Sequence, residues 1–307
     1  QTLGNSFPSG SFGTNHAWGI DFSRPSGNHT IRFGVDLRVY LEQSRSFSYN
    51  TPQINFGTNW TRGPLDNAAA APNGQGLASF LLGLPTGGRA QVNDSYAQNS
   101  NFYAGFVQDD WRVTPRLTLN AGLRYEFETA PTERYNRSVR GFDFVTPNPI
   151  EPAARANYAA SPIPEVPVSQ FRAIGGLQFA GAGGLPRALW QTDHKNFAPR
   201  LGLAWRFRNN MVIRTGYGLY YITAGIDRID VNQAGYTQQT SLVASLDNGQ
   251  TFLASLADPF PNGYQRPAGA AGGLSTDVGR TVSYFTEWRP HGYQQRWSFS
   301  IQRQFPR

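Results

Sequence analysis

The sequence predicts an all-β fold, an antiparallel up-and-down meander of about seven long strands. Three observations lead to this prediction. Apolar and polar residues alternate with a period of two, as in strands whose successive side chains point to opposite faces of a sheet. Short, turn-like connections alternate with very long ones. Aromatic residues make up 14% of the 307 residues and charged residues only 15%, with 33 Gly and 21 Pro.

The alternation is clearest between Thr30 and Leu41. One face of this run is entirely apolar: Ile31, Phe33, Val35, Leu37, Val39 and Leu41. The opposite face carries Arg32, Asp36 and Arg38. The same pattern predicts strands at 16–23, 30–41, 102–112, 117–127, 197–207, 211–221 and 293–303. In 102–112 the alternation is less regular, and we expect the face with Tyr103, Val107 and Trp111 to be the apolar one.

The length of these runs points to a membrane. Strands of soluble domains average about 5–6 residues, whereas a tilted transmembrane strand needs about 9–11. An Arg at the bilayer midplane costs about 2–4 kcal/mol, so the charged face must point to a polar lumen. The chain is therefore predicted to be a partial transmembrane β-barrel. Its predicted lumen-facing residues, in contact with a plug or a substrate path, are Arg32, Asp36, Arg38, Arg124, Glu126, Arg200, Arg214 and Arg296.

The connections follow the same scheme. Short segments at 24–28, 113–116 and 208–210 contain Pro, Gly or Asn, which suit tight turns. The segments 42–101, 128–196 and 222–292 are far longer than the roughly 12–15 residues that loops of soluble domains rarely exceed. Strict alternation puts all short turns at one end of the meander, as in outer-membrane barrels with short periplasmic turns and long extracellular loops.

Two stretches inside the first long loop have a pattern of their own. The apolar run 77–84 fits either a short helix against the barrel mouth or lumen, or a small satellite core within an ordered loop, and the second reading is favoured. The run 89–97 alternates weakly. Because an additional spanning strand would break the order of short and long connections, we expect it to extend the following strand above the membrane.

Several functions are not supported. The chain has no Cys, which excludes disulfides, thiol nucleophiles and Cys-ligated metals. Its four His lack metal-ligand spacing, and no HExxH, GxSxG or Walker pattern occurs. We therefore expect no enzyme activity, no cofactor and no metal. The net charge of +7 comes from singly scattered Arg rather than a basic cluster, so nucleic acid is not an expected partner.

The segment 106–126 (FVQDDWRVTPRLTLNAGLRYE) resembles a hairpin of TonB-dependent outer-membrane transporters, closest to the Oar-like branch with a carboxypeptidase-regulatory-like domain. Weaker similarities follow in the order of that family, at 33–38, 80–85, 196–202, 214–218 and 295–303. The resemblance implies a plugged barrel of about 22 strands, of which residues 1–307 form a middle section without the plug domain. We expect the chain to be a piece of a longer protein.

The resemblance implies a barrel section that takes up a large or scarce substrate across the bacterial outer membrane. The implied partners are the lipid bilayer and its lipopolysaccharide, the protein's own plug domain, the TonB complex and an unknown substrate. Two alternatives remain: an outer-membrane receptor or adhesin without active transport, and a soluble β-sandwich binding module. The lumen arginines either pair with Asp36, Glu126 and plug carboxylates, which is favoured, or form an electropositive path for anionic substrates.

Overall fold

A computed structural model describes residues 2–3, 9–45, 47–62, 75–92, 95–223, 231–247 and 249–305. The helices are α1 (Gln75–Leu81), α2 (Glu151–Ala159) and a 3₁₀ segment, Gly269–Ser275. In chain order the strands are β1 (Thr2–Leu3), β2 (Gly10–Ser26), β3 (His29–Arg45), β4 (Gln53–Asn55), β5 (Gly87–Val92), β6 (Tyr96–Thr114), β7 (Leu117–Glu128), β8 (Thr132–Glu133), β9 (Val139–Pro147), β10 (Ile174–Phe179), β11 (Phe197–Arg208), β12 (Met211–Tyr221), β13 (Gln238–Ser241) and β14 (Tyr293–Arg303).

Seven long strands form the main sheet, in the order β2-β3-β6-β7-β11-β12-β14. Each is antiparallel to the next along the chain, so the predicted antiparallel meander is confirmed. β2, β3 and β6 extend beyond the predicted ranges, to 17, 17 and 19 residues. The reason is that backbone pairing continues to Gly10↔Arg45 and Ser44↔Tyr96, where polar side chains no longer show the apolar alternation.

The register aligns the apolar side chains of neighbouring strands on one face of the sheet, here called the apolar face. One row across it joins Phe22, Phe33, Val107 and Leu123. Val35, Leu37, Leu123 and Phe299 are 45%, 40%, 44% and 69% exposed, so no other part of the described chain covers this face there. A β-sandwich would bury it, because sandwiches place their apolar faces against each other.

The dimensions of the apolar face fit a bilayer. On β3 it runs from Ile31 to Leu41, about 34 Å along a strand that rises about 3.4 Å per residue. A tilt of about 45° reduces this to about 24 Å, close to the apolar band of outer-membrane barrels. An aromatic contact lies at the limit near Ile31, where Trp111 stacks on His29 at 5.3 Å, and a second, between Tyr103 and Phe127 at 5.1 Å, lies in the row of Leu37.

All three short connections lie at one end of the main sheet, here called the turn end. Gly27 and Asn28 join β2 to β3, and Gly27 has φ +57°, a left-handed conformation that favours glycine. Pro115 and Arg116 join β6 to β7, and residues 209–210 join β11 to β12. The long connections therefore lie at the opposite, loop end.

The long loops form small sheets apart from the main sheet, and one of these sheets also includes β1. β1, β4, β5 and β13 form a four-stranded sheet in which β13 of the third long loop pairs with β5 of the first. β9 and β10 form an antiparallel pair in the second loop, with α2 between them in the chain. No helix in the described part of the chain is long and apolar enough to cross a membrane.

The expectations for the first long loop have different outcomes. The apolar run 77–84 overlaps helix α1, where Phe80 packs edge-on against the buried Phe56 at 5.2 Å, so it contributes to a small core within the loop. The expectation that 89–97 extends the following strand, β6, is wrong for residues 89–92, which belong to β5. Its partners belong to the loop sheet, since Arg89 donates to Gln53 Oε1 at 3.0 Å and Ala90 is buried. β6 begins at Tyr96.

We predict that a charge is tolerated on only one face of β6. Val107 lies midway between Tyr103 and Trp111 on the apolar face, and its neighbour Gln108 lies on the opposite face. Val107→Arg should cost about 2–4 kcal/mol in the bilayer and reduce the folded, heat-modifiable form of the full-length protein in outer-membrane fractions. Gln108→Arg, the matched control, should assemble as wild type. Equal assembly of both variants would contradict the assignment of faces.

Candidate functional site on the polar face

The eight predicted lumen residues share one face of the main sheet, here called the polar face. One register row joins Arg32, Gln108, Gly122, Arg200, Gly218 and Arg296 across six strands. Asp36 and Arg38 follow Arg32 at even spacing on β3. Glu126 shares a row with Asp36, and Arg124 and Arg214 lie in further rows of this face.

Four of these residues form a continuous ion-pair network across β3 and β7. Arg38 donates to both carboxylate oxygens of Asp36, at 3.0 and 2.7 Å. Arg124 Nη2 donates to Asp36 Oδ2 at 3.2 Å, and Arg124 Nε donates to Glu126 Oε2. Asp36 therefore bridges two guanidinium groups, and Arg124 bridges two carboxylates. Charge-assisted bonds of this kind are stronger than neutral ones.

An aromatic ring of β6 packs against both arginines of this network. Phe102 is 3% exposed, and the guanidinium carbons of Arg38 and Arg124 lie 5.1 and 5.9 Å from the centre of its ring. Tyr40 and Ala104 are buried beside it. A cation held over an aromatic face gains electrostatic attraction and loses side-chain freedom. Each charged group of the network thus has a partner of opposite charge within the network, which makes this part of the main sheet rigid.

The strands β11, β12 and β14 differ in charge from the half of the main sheet that contains β3, β6 and β7. Their sequences contain Arg but no Asp or Glu. Arg200 lies over the ring of Tyr220 at 4.8 Å. Within the described ranges, Arg200, Arg214 and Arg296 have no ion-pair partner, and Arg32 has only a 3.8 Å contact to Asp110. The favoured pairing with Asp36 and Glu126 is therefore present for Arg38 and Arg124 and not for the other arginines.

A shallow groove of about 400 Å³ lies between Arg200 and Arg296. Its floor is backbone and glycine, at Gly122, Gly202, Gly216 and Gly218, and its walls include Arg200, Arg296, Gln108, Asn120 and Tyr220. At Gly218 a Cβ atom would lie 2.8 Å from the Tyr220 ring, so glycine is what allows this ring to lie flat on the strand. The sequence analysis missed the groove. The sequence did contain a signal for the groove, because glycine recurs at polar-face positions of neighbouring strands.

The histidine and aspartate residues have structural contacts. His29 Nδ1 lies 2.6 Å from Asp109 Oδ2, at the turn end of the apolar face. Asp110, on the opposite face, accepts from Asn120 Nδ2 at 2.5 Å, so the adjacent carboxylates point apart. At the loop end His291 lies beside the buried Asp193. No group of three or more His, Asp or Glu side chains in the described residues could hold a metal ion.

Carboxylates also fix the loops. Glu133 is fully buried and accepts from the backbone N–H groups of Tyr135 and Arg137 at 2.7 and 2.8 Å. Hydrogen bonds from the N–H groups of Thr146 and Val145 hold the pKa of Asp143 below its ordinary value. Bonds from Ser245 and Thr251 lower the pKa of Asp247 well below its ordinary range. Asp227 and Asp230, which lack the spacing of a calcium-binding loop, lie outside the described residues.

An open antiparallel meander with one apolar, uncovered face and one charged face defines the wall of a membrane β-barrel. The family described as outer membrane beta barrel domain matches residues 1–307, and the chain belongs to this family. Membership places the protein in the bacterial outer membrane. The apolar face is therefore the lipid-facing one. No curated protein matches the chain.

We predict that the network depends on Arg124. Arg124→Gln leaves the buried Glu126 without its cation, and should lower the free energy of unfolding of the full-length protein in micelles by about 1–3 kcal/mol. Arg32→Gln is the matched control on the same face. The Arg32 side chain is 56% exposed with a 3.8 Å ion pair, so its loss should cost less than about 1 kcal/mol. Equal losses in the two variants would count against the network.

The lowered pKa of Asp143 makes the part of β9 that follows it sensitive to acid. A carboxylate with a lowered pKa in the folded state contributes stability above its ordinary pKa of about 3.9, and this contribution disappears as the pH falls through the folded value. Hydrogen-exchange protection of the Val145 and Thr146 amides should therefore be present at neutral pH and lost in strong acid. Asp143→Ala should lose it at neutral pH, and unchanged protection in this variant would refute the assignment.

Proposed function

We propose that the chain forms part of the barrel wall of a TonB-dependent, Oar-like transporter that takes up a large or scarce substrate. The observation that carries the proposal is the charged polar face, which has ion pairs on β3 and β7 and arginines without an ionic partner in the described chain on β11, β12 and β14. Small barrels of about eight strands fill their interior with side chains, whereas 22-stranded transporters enclose a separate plug. A face lined by ion pairs and unpaired arginines suits a wide, polar interior.

The two edges of the main sheet support a barrel of more strands. In a bilayer every backbone polar group needs a partner. Within the described residues, β2 pairs only with β3 and β14 pairs only with β12. Further strands must pair with these two edges if the sheet spans a membrane.

The direction of the edge strands limits what can close the barrel. β2 ends at the turn between Ser26 and His29, and the end of β14 lies beside Met211 at the same turn end. Both edges therefore run from the loop end to the turn end. Antiparallel closure needs an odd number of additional strands between them. One copy of this sheet alone, or several identical copies, would bring parallel edges together.

The runner-up is a surface receptor or adhesin without active transport. An aromatic cluster in the second and third long loops favours ligand capture. Phe142 lies 4.9 Å from Phe144 and 5.3 Å from Tyr284, and Phe144 and Tyr284 are exposed. Exposed aromatic groups of this kind serve as contact surfaces for partners. A transporter with the same loops would use them to collect its substrate, so the two functions differ in energy coupling.

The test is coupling to TonB. The full-length protein, purified in detergent and shown to be folded by heat-modifiable migration, is titrated with the periplasmic domain of TonB from the same bacterium. Saturable binding supports the transporter. A folded protein that does not bind this domain contradicts active transport and favours the receptor. A denatured sample of the same protein provides the control for non-specific association.

A further inference from the structure

We propose that the groove over β11, β12 and β14 is a binding site for a multivalent oxyanion, a small solute with several carboxylate or phosphate groups. The proposal rests on the proposed function in one respect, since the groove must face the water-filled interior of the barrel. It goes further by naming a place on the wall and a chemical class of ligand.

The first argument is the separation of charge along the polar face. Acidic residues are confined to one half of the sheet, where Asp36, Glu126 and Asp110 each contact an Arg within 4 Å. The other half has only cations on its strands. Guanidinium groups already bound to carboxylates have little capacity left for a solute anion. Arg200, Arg214 and Arg296, without an ionic partner in the described chain, retain it.

The second argument is the geometry of the three arginines. Arg200, Gly218 and Arg296 are consecutive in one register row, so the Cα atoms of the two arginines lie roughly 10 Å apart at about 4.8 Å per strand. Arg214 lies four residues from Gly218 on β12, about 14 Å towards the turn end. Arg200 and Arg296 both line the groove, whereas Arg214 lies outside its lining and adds positive charge on the side of the turn end. Forked guanidinium groups bind carboxylate and phosphate in pairs of hydrogen bonds.

The third argument is the space for a ligand between Arg200 and Arg296. The groove lined by Arg200 and Arg296 has Gly202 and Gly216 in its floor. A Cβ atom at Gly216 would lie 3.1 Å from Ser298 Oγ, and one at Gly202 would lie 3.2 Å from Asn120 Oδ1. Larger residues would therefore crowd these groups, whereas glycine keeps the space over the strands open and leaves the Ser298 hydroxyl available as a donor to an anion. The Asn120 amide already donates to Asp110. The groove of about 400 Å³ is in the size range of small-molecule sites.

The experiment uses the full-length protein in detergent with two probes, tricarballylate for carboxylates and inorganic pyrophosphate for phosphates. Binding is measured by equilibrium dialysis at low ionic strength. The Arg200→Gln/Arg296→Gln variant should weaken binding of at least one probe by tenfold or more. Arg303→Gln is the matched control, because Arg303 lies on β14 but on the opposite face, over the ring of Phe305. It should bind as wild type, and added NaCl should weaken binding by the wild type.

Binding of either probe that is lost in the double variant and kept in Arg303→Gln supports the site and identifies the preferred anion. Three results overturn it: no binding of either probe by folded wild type, equal binding by the double variant, or an equal loss in Arg303→Gln. No binding is also the result expected if an acidic segment of the same protein occupies the groove. TonB binding and heat-modifiable migration are measured on the same samples, so the transporter can be supported while the anion site fails, or the reverse.

Discussion

The cost of placing a charge in hydrocarbon is the constraint on which this structure depends. At about 2–4 kcal/mol for one Arg at the midplane, each misplaced charge removes a large share of the stability of a protein. On β3 the consequence is a strict separation, with Phe33, Val35 and Leu37 on one face and Asp36 and Arg38 on the other. The charged groups are thereby collected on one side of the sheet, where they pair with each other. The ion-pair network follows from the exclusion of charge from lipid.

The same constraint explains which parts of the fold the sequence could predict. β11, β12 and β14 begin and end within one residue of the predicted ranges, because apolar alternation and the turn at Asn209 and Asn210 define their limits. Where strands leave the bilayer, the constraint no longer acts on side chains. β6 continues in register with β3 as far as Tyr96 without an apolar pattern, and β5 pairs in a loop sheet that its weak alternation did not indicate.

The polar face was predictable as a set of residues but not as a set of contacts. Arg38 and Asp36 are two apart on one strand, so parity alone brings them together. Arg124 and Asp36 are 88 positions apart, and their contact depends on the registers of β3, β6 and β7. The groove needs a further level of information, because Gly202, Gly216 and Gly218 create space only when β11 and β12 are aligned beside Arg200 and Arg296. Periodicity identifies a face, and register identifies a site.

The uneven distribution of charge on the polar face also affects how strongly a plug or a ligand inside the barrel would bind to each half of it. A plug held only by the network around Asp36 would meet groups whose ionic capacity is already used, and would gain little from them. The unpaired arginines of β11, β12 and β14 offer much more to an anionic group, because no local carboxylate in the described chain competes for them. The half of the sheet whose charges are paired therefore attracts an anion less than the half whose arginines have no ionic partner in the described chain. The first half provides rigidity, and the second half provides the electrostatic attraction that a ligand can use.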